Sequence, residues 1–435
     1  MVDPGSIAVR AEELARNRTP HFDPEELKAF VKTYLDRREV FLKAFREQGS
    51  PLYVIEKKIL LERAEHFRKI MGGKLSDLQV YYAVKSNNHP SIANILVRAG
   101  LGLDVSSGQE LKLALEAGAA RILFSGPGKT EAELKLGVAN YKKVTVLMDS
   151  FGELNRLEKI TAESEREIRA GIRLTTDERG FWRKFGIPLS KLEVLFELAE
   201  KCHHVRLAGL QFHTSWNLDP SGQVKFIERL GQELKALPEN YREQIEFIDI
   251  GGGYWPPQGE WLQAAGTPEG RLADILFPNS KPDMNHYRLS GNPIGVFAER
   301  LAAAIEEHIY PSLKCSIYTE PGRWICNDAM HILLQVVDRK ADDMVITDGG
   351  MNIIGWERYE IDYFPVINLS RPELNEHPCY VLGSLCTPHD VWGYSYFGSD
   401  IHPGDILLIP TQGAYTYSLR QKFIKPIPDT VIIEQ

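Results

Sequence analysis

The chain has 435 residues, too many for one ordinary hydrophobic core, so two or three domains are expected. Hydrophobic residues make up 43% and charged residues 25%, the balance of a water-soluble globular protein. A formal charge of -8 argues against a nucleic-acid binder.

Residues 8 to 48 read as helical: Ala8 to Ala15 first, then an amphipathic stretch that opens at Pro24-Glu25-Glu26-Leu27 and reaches Phe45. From about Pro51 the texture changes to short apolar runs alternating with charged helical patterns. The runs include Leu52 to Ile55, Val80 to Val84, Leu103 to Val105, Ile122 to Phe124, Val144 to Leu147, Ile168 to Leu174, Leu207 to Phe212 and Glu246 to Ile250. Such repeated β-α alternation over roughly 250 residues predicts a parallel sheet, and the number of units favours a closed barrel. The Pro- and Gly-rich zone from Pro256 to Pro293 reads as a long surface insertion. Beyond about Cys315 the pattern is strand-rich, with runs such as Ile332 to Val337 and Asp405 to Ile409, and predicts a β-sandwich or β-barrel. The expected fold class is therefore α/β: a helical extension over 1–50, a (β/α)8 TIM-like barrel over 51–312 and a C-terminal β-domain over 313–435.

Five scattered cysteines (Cys202, Cys315, Cys326, Cys379 and Cys386) form no CxxC pair and fit a reducing compartment. No apolar run reaches membrane-spanning length, and Met1 to Ser6 has neither a basic start nor an apolar core. A cytoplasmic protein with no membrane or nucleic-acid partner is expected.

Barrel enzymes place their chemistry at the carboxyl ends of strands. The apolar run Leu78 to Val84 ends in Lys85-Ser86-Asn87-Asn88-His89. A lysine there either snorkels to solvent or, desolvated, offers a neutral amine for Schiff-base chemistry. Asp104 in isolation reads as a helix cap, and His213 after its strand as a structural histidine. Gly251-Gly252-Gly253 allows close backbone approach to an anion, although glycine triplets also make plain turns. Glu320-Pro321-Gly322-Arg323 joins an acid, a flexible backbone and a fork-shaped cation. Cys386 alone reads as a buried small hydrophobe.

Taken together and in order, these pieces resemble the pyridoxal-phosphate decarboxylases of the ornithine/diaminopimelate decarboxylase family, the fold type III group. The matching stretches are Tyr82 to Asn87, Asp104 to Glu110, Lys184-Phe185-Gly186, His213, Gly251 to Gly253, Glu320 to Arg323, Asp348 to Asn352, Cys386 with Asp390, and Gly413-Ala414-Tyr415. The resemblance runs from about residue 50 to the carboxyl end. It implies that Lys85 carries pyridoxal 5'-phosphate covalently and that His213 stacks on its ring. It places Gly251, Gly252, Gly253, Gly322, Arg323 and Tyr415 on the phosphate, with Asp104 and Ser215 also in the cofactor site. Glu320 is expected to keep the ring nitrogen protonated, which favours decarboxylation over racemisation. Cys386 is expected to enter the neighbouring subunit's site and protonate the α-carbon, making the active unit a homodimer with shared sites. Arg173, Tyr359, Glu360, His389 and Asp390 are the expected substrate contacts; Asp390 reads equally as a turn residue. No metal is expected.

The pattern departs from the diaminopimelate enzymes at two places. Thr387 follows the cysteine where an acid is usual, and Gly355 to Glu360 stands where an Arg-Pro pair is usual. Together with Gly126 to Thr130 and the loop His213-Thr214-Ser215, this resembles family members of secondary metabolism that act on citryl-linked diamino acids of siderophores or on carrier-tethered amino acids. The alternatives are a meso-diaminopimelate, ornithine, lysine or arginine decarboxylase, a racemase on the same barrel, or an inactive relative. The last would be expected to lose Lys85 or Cys386, and both are present.

Overall fold

The computed structural model describes residues 4–16, 18–277, 285–355 and 361–434. It divides into two compact units, each discontinuous in sequence: Lys58–Pro257 with Asn292–Cys326, and Met1–Lys57 with Gln258–Gly291 and Asn327–Gln435.

The first unit is a closed barrel. Strands Leu78–Ala83, Gly102–Val105, Ile122–Phe124, Val144–Met148, Ile168–Leu174, Val205–Phe212, Phe247–Asp249 and Ser316–Thr319 pair in parallel in that order, and the last returns to the first. The closing strand lies beyond 312, so the expected domain boundary falls one strand short. Side chains of alternate strand residues point inward. One inward layer is apolar, with Tyr81, Leu123, Leu147, Ala208, Phe247 and Tyr318 in contact. Phe247 and Tyr318 stack at 4.5 Å between centroids. Gly209 makes room for them, because a Cβ there would lie 2.2 Å from the Phe247 ring. Two residues further along the strands the inward layer turns polar: Leu123 gives way to Ser125, Leu147 to Asp149, Phe247 to Asp249 and Tyr318 to Glu320. Beyond the strands the chain re-enters helices through side-chain caps, Ser107 before Gly108–Glu116, Thr130 with a full capping box before Glu131–Ala139, and Ser150 before Phe151–Glu163.

The second unit is built on a sheet of eight strands. Met330–Ala341 pairs with both Met344–Thr347 and Ile406–Ile409, and through Glu376–Leu382, Val391–Phe397 and Ile367–Asn368 these six strands close into a ring. Leu52–Glu56, expected to belong with the barrel, is instead part of this sheet. It runs antiparallel to Met330–Leu333 and parallel to Asp429–Ile433. A continuous apolar run fits any strand buried on both faces, so its pattern does not say which sheet it joins.

Helices Pro24–Leu35 and Arg38–Gln48 lie over this sheet. They bury Leu27, Val31, Tyr34 and Phe41 with Leu52, Val54, Leu333, Ile367 and Leu408 in one core. The single amphipathic stretch expected here breaks at Asp36-Arg37, where Arg37 leaves the helical path to reach Glu56. The Pro- and Gly-rich insertion joins this unit too, through a ribbon of Glu260–Leu262 with Tyr287–Leu289 and a helix at Pro268–Leu276. Among the described residues no helix is long and apolar enough to cross a membrane.

Candidate active site

The strand Leu78–Ala83 ends in a single helical turn, Val84–Ser86, that carries Lys85 at the barrel's carboxyl end. The Lys85 ammonium donates to Asp104 Oδ2 at 2.9 Å, and Ser125 donates to Asp104 Oδ1 at 2.6 Å. Asp104 is fully buried, whereas the Lys85 side chain keeps 35% of its surface, so the amine can meet a ligand while its partner stays fixed. Asp104 caps no helix. Ser107 does, accepting the Glu110 N–H at 3.2 Å, which overturns the capping reading of Asp104.

Glu320 and Asp249 occupy the same polar layer on neighbouring strands. Burial raises both carboxyls, but their outcomes differ. At Glu320 the burial effect is overcome by His213, whose Nδ1 lies 3.7 Å from Oε2, and by the Lys85 ammonium, so Glu320 is held below the ordinary carboxylate range. At Asp249 the charged Glu320 adds to the burial penalty and pushes the group well above it. Asp249 accepts the Gly251 N–H at Oδ1, at 2.8 Å, and its buried Oδ2 meets no donor. The pair therefore holds one proton and one charge: Asp249 neutral, Glu320 ionised. Gln211 donates to Glu320 Oε1 at 3.2 Å. Burial opposes a charge on His213 while Glu320 favours one, and the Gly252 N–H lies 3.2 Å from its Nδ1.

The glycine triplet is required by its surroundings. Gly251 and Gly253 have φ of +68° and +80°, and a Cβ on Gly252 would lie 2.1 Å from the Glu320 carbonyl oxygen. The triplet is locked from below by Glu320 N–H to Gly251 O at 2.8 Å and by Asn217 to Gly252 O at 3.0 Å. Ser215 backs Gly253, its Cα 3.2 Å from where a Cβ would sit. Gly322 packs on Ser86, next to Lys85, where a Cβ would come within 2.8 Å of the hydroxyl. The Arg323 guanidinium lies over the Trp255 ring at 4.2 Å. Arg173 stacks over Phe185 at 4.5 Å, with a buried Nε that finds no hydrogen-bond partner.

The remaining predicted residues are carried by the other unit. Cys386 and His389 are exposed on the loop that follows strand Glu376–Leu382. Asp390 is buried and engaged: its two oxygens accept the Met351 N–H at 2.6 Å and the Leu385 N–H at 2.7 Å. The turn reading of Asp390 accounts for these bonds. Tyr415 is half-buried at a left-handed φ of +58°. Tyr359 and Glu360 lie outside the described residues. Sequence reasoning missed Ser125, Gln211 and Asp249. Ser125 and Asp249 sit two positions beyond Leu123 and Phe247 of the inward layer, and that period is the signal that finds them; Gln211 lies three beyond Ala208, where an irregularity shifts the register.

Residues 58–268 match the family model for pyridoxal-dependent decarboxylase, pyridoxal binding domain. A diaminopimelate decarboxylase of Aquifex aeolicus is 26% identical over 444 residues, covering 97% of this chain and 94% of that one. An L-glutamyl-(BtrI acyl-carrier protein) decarboxylase of Niallia circulans is 26% identical over 88% of each chain. The structure of a diaminopimelate decarboxylase from Helicobacter pylori complexed with L-lysine superposes with a TM-score of 0.73 at 22% identity, over 91% of this chain and 94% of that one.

The barrel fits the group these matches imply. It presents a partly exposed amine for an aldehyde, an ionised carboxylate for a ring nitrogen, an imidazole for a ring face, and a glycine turn packed too closely on neighbouring backbone for any Cβ. Among the described residues no cluster of His, Cys, Asp or Glu is arranged to hold a metal.

Proposed function

We propose that this chain, as a pyridoxal-phosphate-dependent decarboxylase, removes the α-carboxylate of an L-amino acid conjugated at its distal end. A citryl-linked diamino acid, as in siderophore assembly, is the favoured form. The observation that carries this reading is the loop from Gly383 to Asp390. Asp390, its one carboxylate, is tied to two backbone amides, and the residue after Cys386 is the neutral Thr387. The free distal ammonium of a diamino acid would find no unengaged acid on that loop, whereas a conjugate has no such ammonium to match. The Niallia relative, whose name places its glutamyl substrate on a carrier protein, supports a roomy distal site. The full-length match to the Aquifex enzyme favours a second reading, free meso-diaminopimelate.

The bound cofactor supplies an electron sink for the pair released as carbon dioxide leaves. Lys85 would hold it covalently, and Gly251 to Gly253, Gly322, Arg323 and Tyr415 would hold its phosphate. Glu320 would keep a proton at the ring nitrogen. His213 would cover a ring face and exclude water from it. Cys386, delivered from a second copy of the chain, would return a proton to the α-carbon. Asp104 would hold the Lys85 amine whenever it is free of the cofactor.

The test is carbon dioxide release, with product mass, from purified protein and pyridoxal phosphate. The panel holds meso-diaminopimelate, lysine, ornithine, arginine and the citryl conjugates of short diamino acids. Turnover of a conjugate alone is the expected result; efficient turnover of diaminopimelate would overturn it.

A further inference from the structure

Arg37, Glu56 and His331 form a relay, buried at its inner two members, that no residue role given so far uses. The Glu56 and His331 side chains are 1% and 0% exposed, and His331 Nε2 lies 2.6 Å from Glu56 Oε1. Arg37 donates to the other oxygen, Glu56 Oε2. Burial opposes the Glu56 charge, but His331 and Arg37 outweigh it and hold the carboxyl below its ordinary range. On its far side, His331 Nδ1 accepts the Thr411 N–H at 3.1 Å. An accepting Nδ1 leaves the ring proton on Nε2, directed at Glu56, so the histidine is oriented at both nitrogens. Tyr34 and Phe41, one from each N-terminal helix, pack edge-on against its ring at 5.3 and 5.5 Å.

What the relay grips is an unusual stretch of backbone. Thr411 is left-handed at φ +55°, and so is Tyr415 four residues later at φ +58°. Residues without glycine's freedom hold such angles only where their surroundings fix them. Between the two, Gln412 N–H donates to Met330 O at 2.7 Å and Gly413 N–H to Asn327 O at 3.0 Å. The strand that supplies Met330 therefore also supplies, one residue on, the imidazole that sets the first left-handed turn. An ion pair serving only to anchor the helices would end at Arg37 and Glu56, yet this one continues to the backbone before Tyr415.

We infer that Glu56 and His331 are positioning residues for Tyr415, and that the N-terminal helices complete the relay through Arg37. This rests on the reading of Tyr415 as a holder of the cofactor phosphate. It gives the N-terminal helices a task in cofactor binding.

The experiment measures pyridoxal phosphate dissociation from the full-length holoenzyme, by cofactor absorbance, in His331→Leu, Tyr415→Phe and the double variant. Melting of each apoprotein reports folding. Each single change is expected to weaken binding about tenfold, and the double change to add less than about twofold to either. His331→Asn, which keeps an acceptor near the Nδ1 position, is expected to recover most of the affinity. Additive losses in the double variant, or normal affinity in a folded His331→Leu protein, would overturn the inference while leaving the role of Tyr415 standing. Normal affinity in Tyr415→Phe would overturn both. Should His331→Leu fail to fold, Glu56→Gln and Arg37→Met enter the same cycle with Tyr415→Phe, under the same criteria.

Discussion

Asp249 and Glu320 show how one buried layer assigns different states to two carboxyls. A protonated Asp249 is nearly isosteric with asparagine, so Asp249→Asn is expected to keep most of the activity. Glu320→Gln removes the charge that faces the ring nitrogen and is expected to cost roughly 10²- to 10³-fold in kcat. Steady-state kinetics on the two variants checks the assignment, and equal losses would reverse it. Their pH signatures differ as well. Asp249 has a raised folded pKa, so its contribution to stability is complete below the ordinary carboxylate range and fades as pH rises through the raised value. Glu56, with a lowered folded pKa, contributes above that range and loses its contribution as pH falls through the lowered value. Melting temperature against pH should therefore flatten on the alkaline side in Asp249→Asn and on the acid side in Glu56→Gln. Lys85 and Glu320 were legible in the sequence because a charge ending an apolar run is conspicuous. Asp249 was not, because nothing in Phe247-Ile248-Asp249 says that the aspartate faces a second acid three-quarters of the way along the chain.

At the level of elements, the alternation of strands and helices announced the barrel, since each parallel strand needs a helix to return. The glycines say where that barrel tolerates nothing more. Gly209→Ala would drive a methyl into the Phe247 ring, and a loss of about 1–3 kcal/mol is expected in chemical denaturation. Gly128, in the turn before helix Glu131–Ala139, has open space around its Cα, and Gly128→Ala is expected to change stability by no more than about 0.5 kcal/mol. A reversed ranking would mean that the barrel interior can relax around the ring. The sequence misplaced Leu52–Glu56 and missed the break at Asp36-Arg37 for one reason. Both turn on tertiary partners, Glu56 for Arg37, and Met330–Leu333 with the last strand for Leu52–Glu56, and local pattern carries no trace of them.

For the whole molecule, the exposed position of Cys386 bears on assembly. If two copies share their sites, Lys85→Ala and Cys386→Ala proteins, each inactive in normal turnover, should restore about a quarter of the wild-type activity when mixed, by random pairing. Mixing with no recovery would place the cysteine and lysine of each site on one chain. The pairing of Leu52–Glu56 with Asp429–Ile433 has a further consequence, in the order of synthesis. The first strand made must wait for the last. At roughly 5–20 residues per second, on the order of tens of seconds separate their emergence from the ribosome. The barrel, nested between them in sequence, can close first, while helices Pro24–Leu35 and Arg38–Gln48 hold an apolar face with nothing yet to cover it. A nascent chain stalled before residue 330 is therefore the form of this protein most in need of a chaperone.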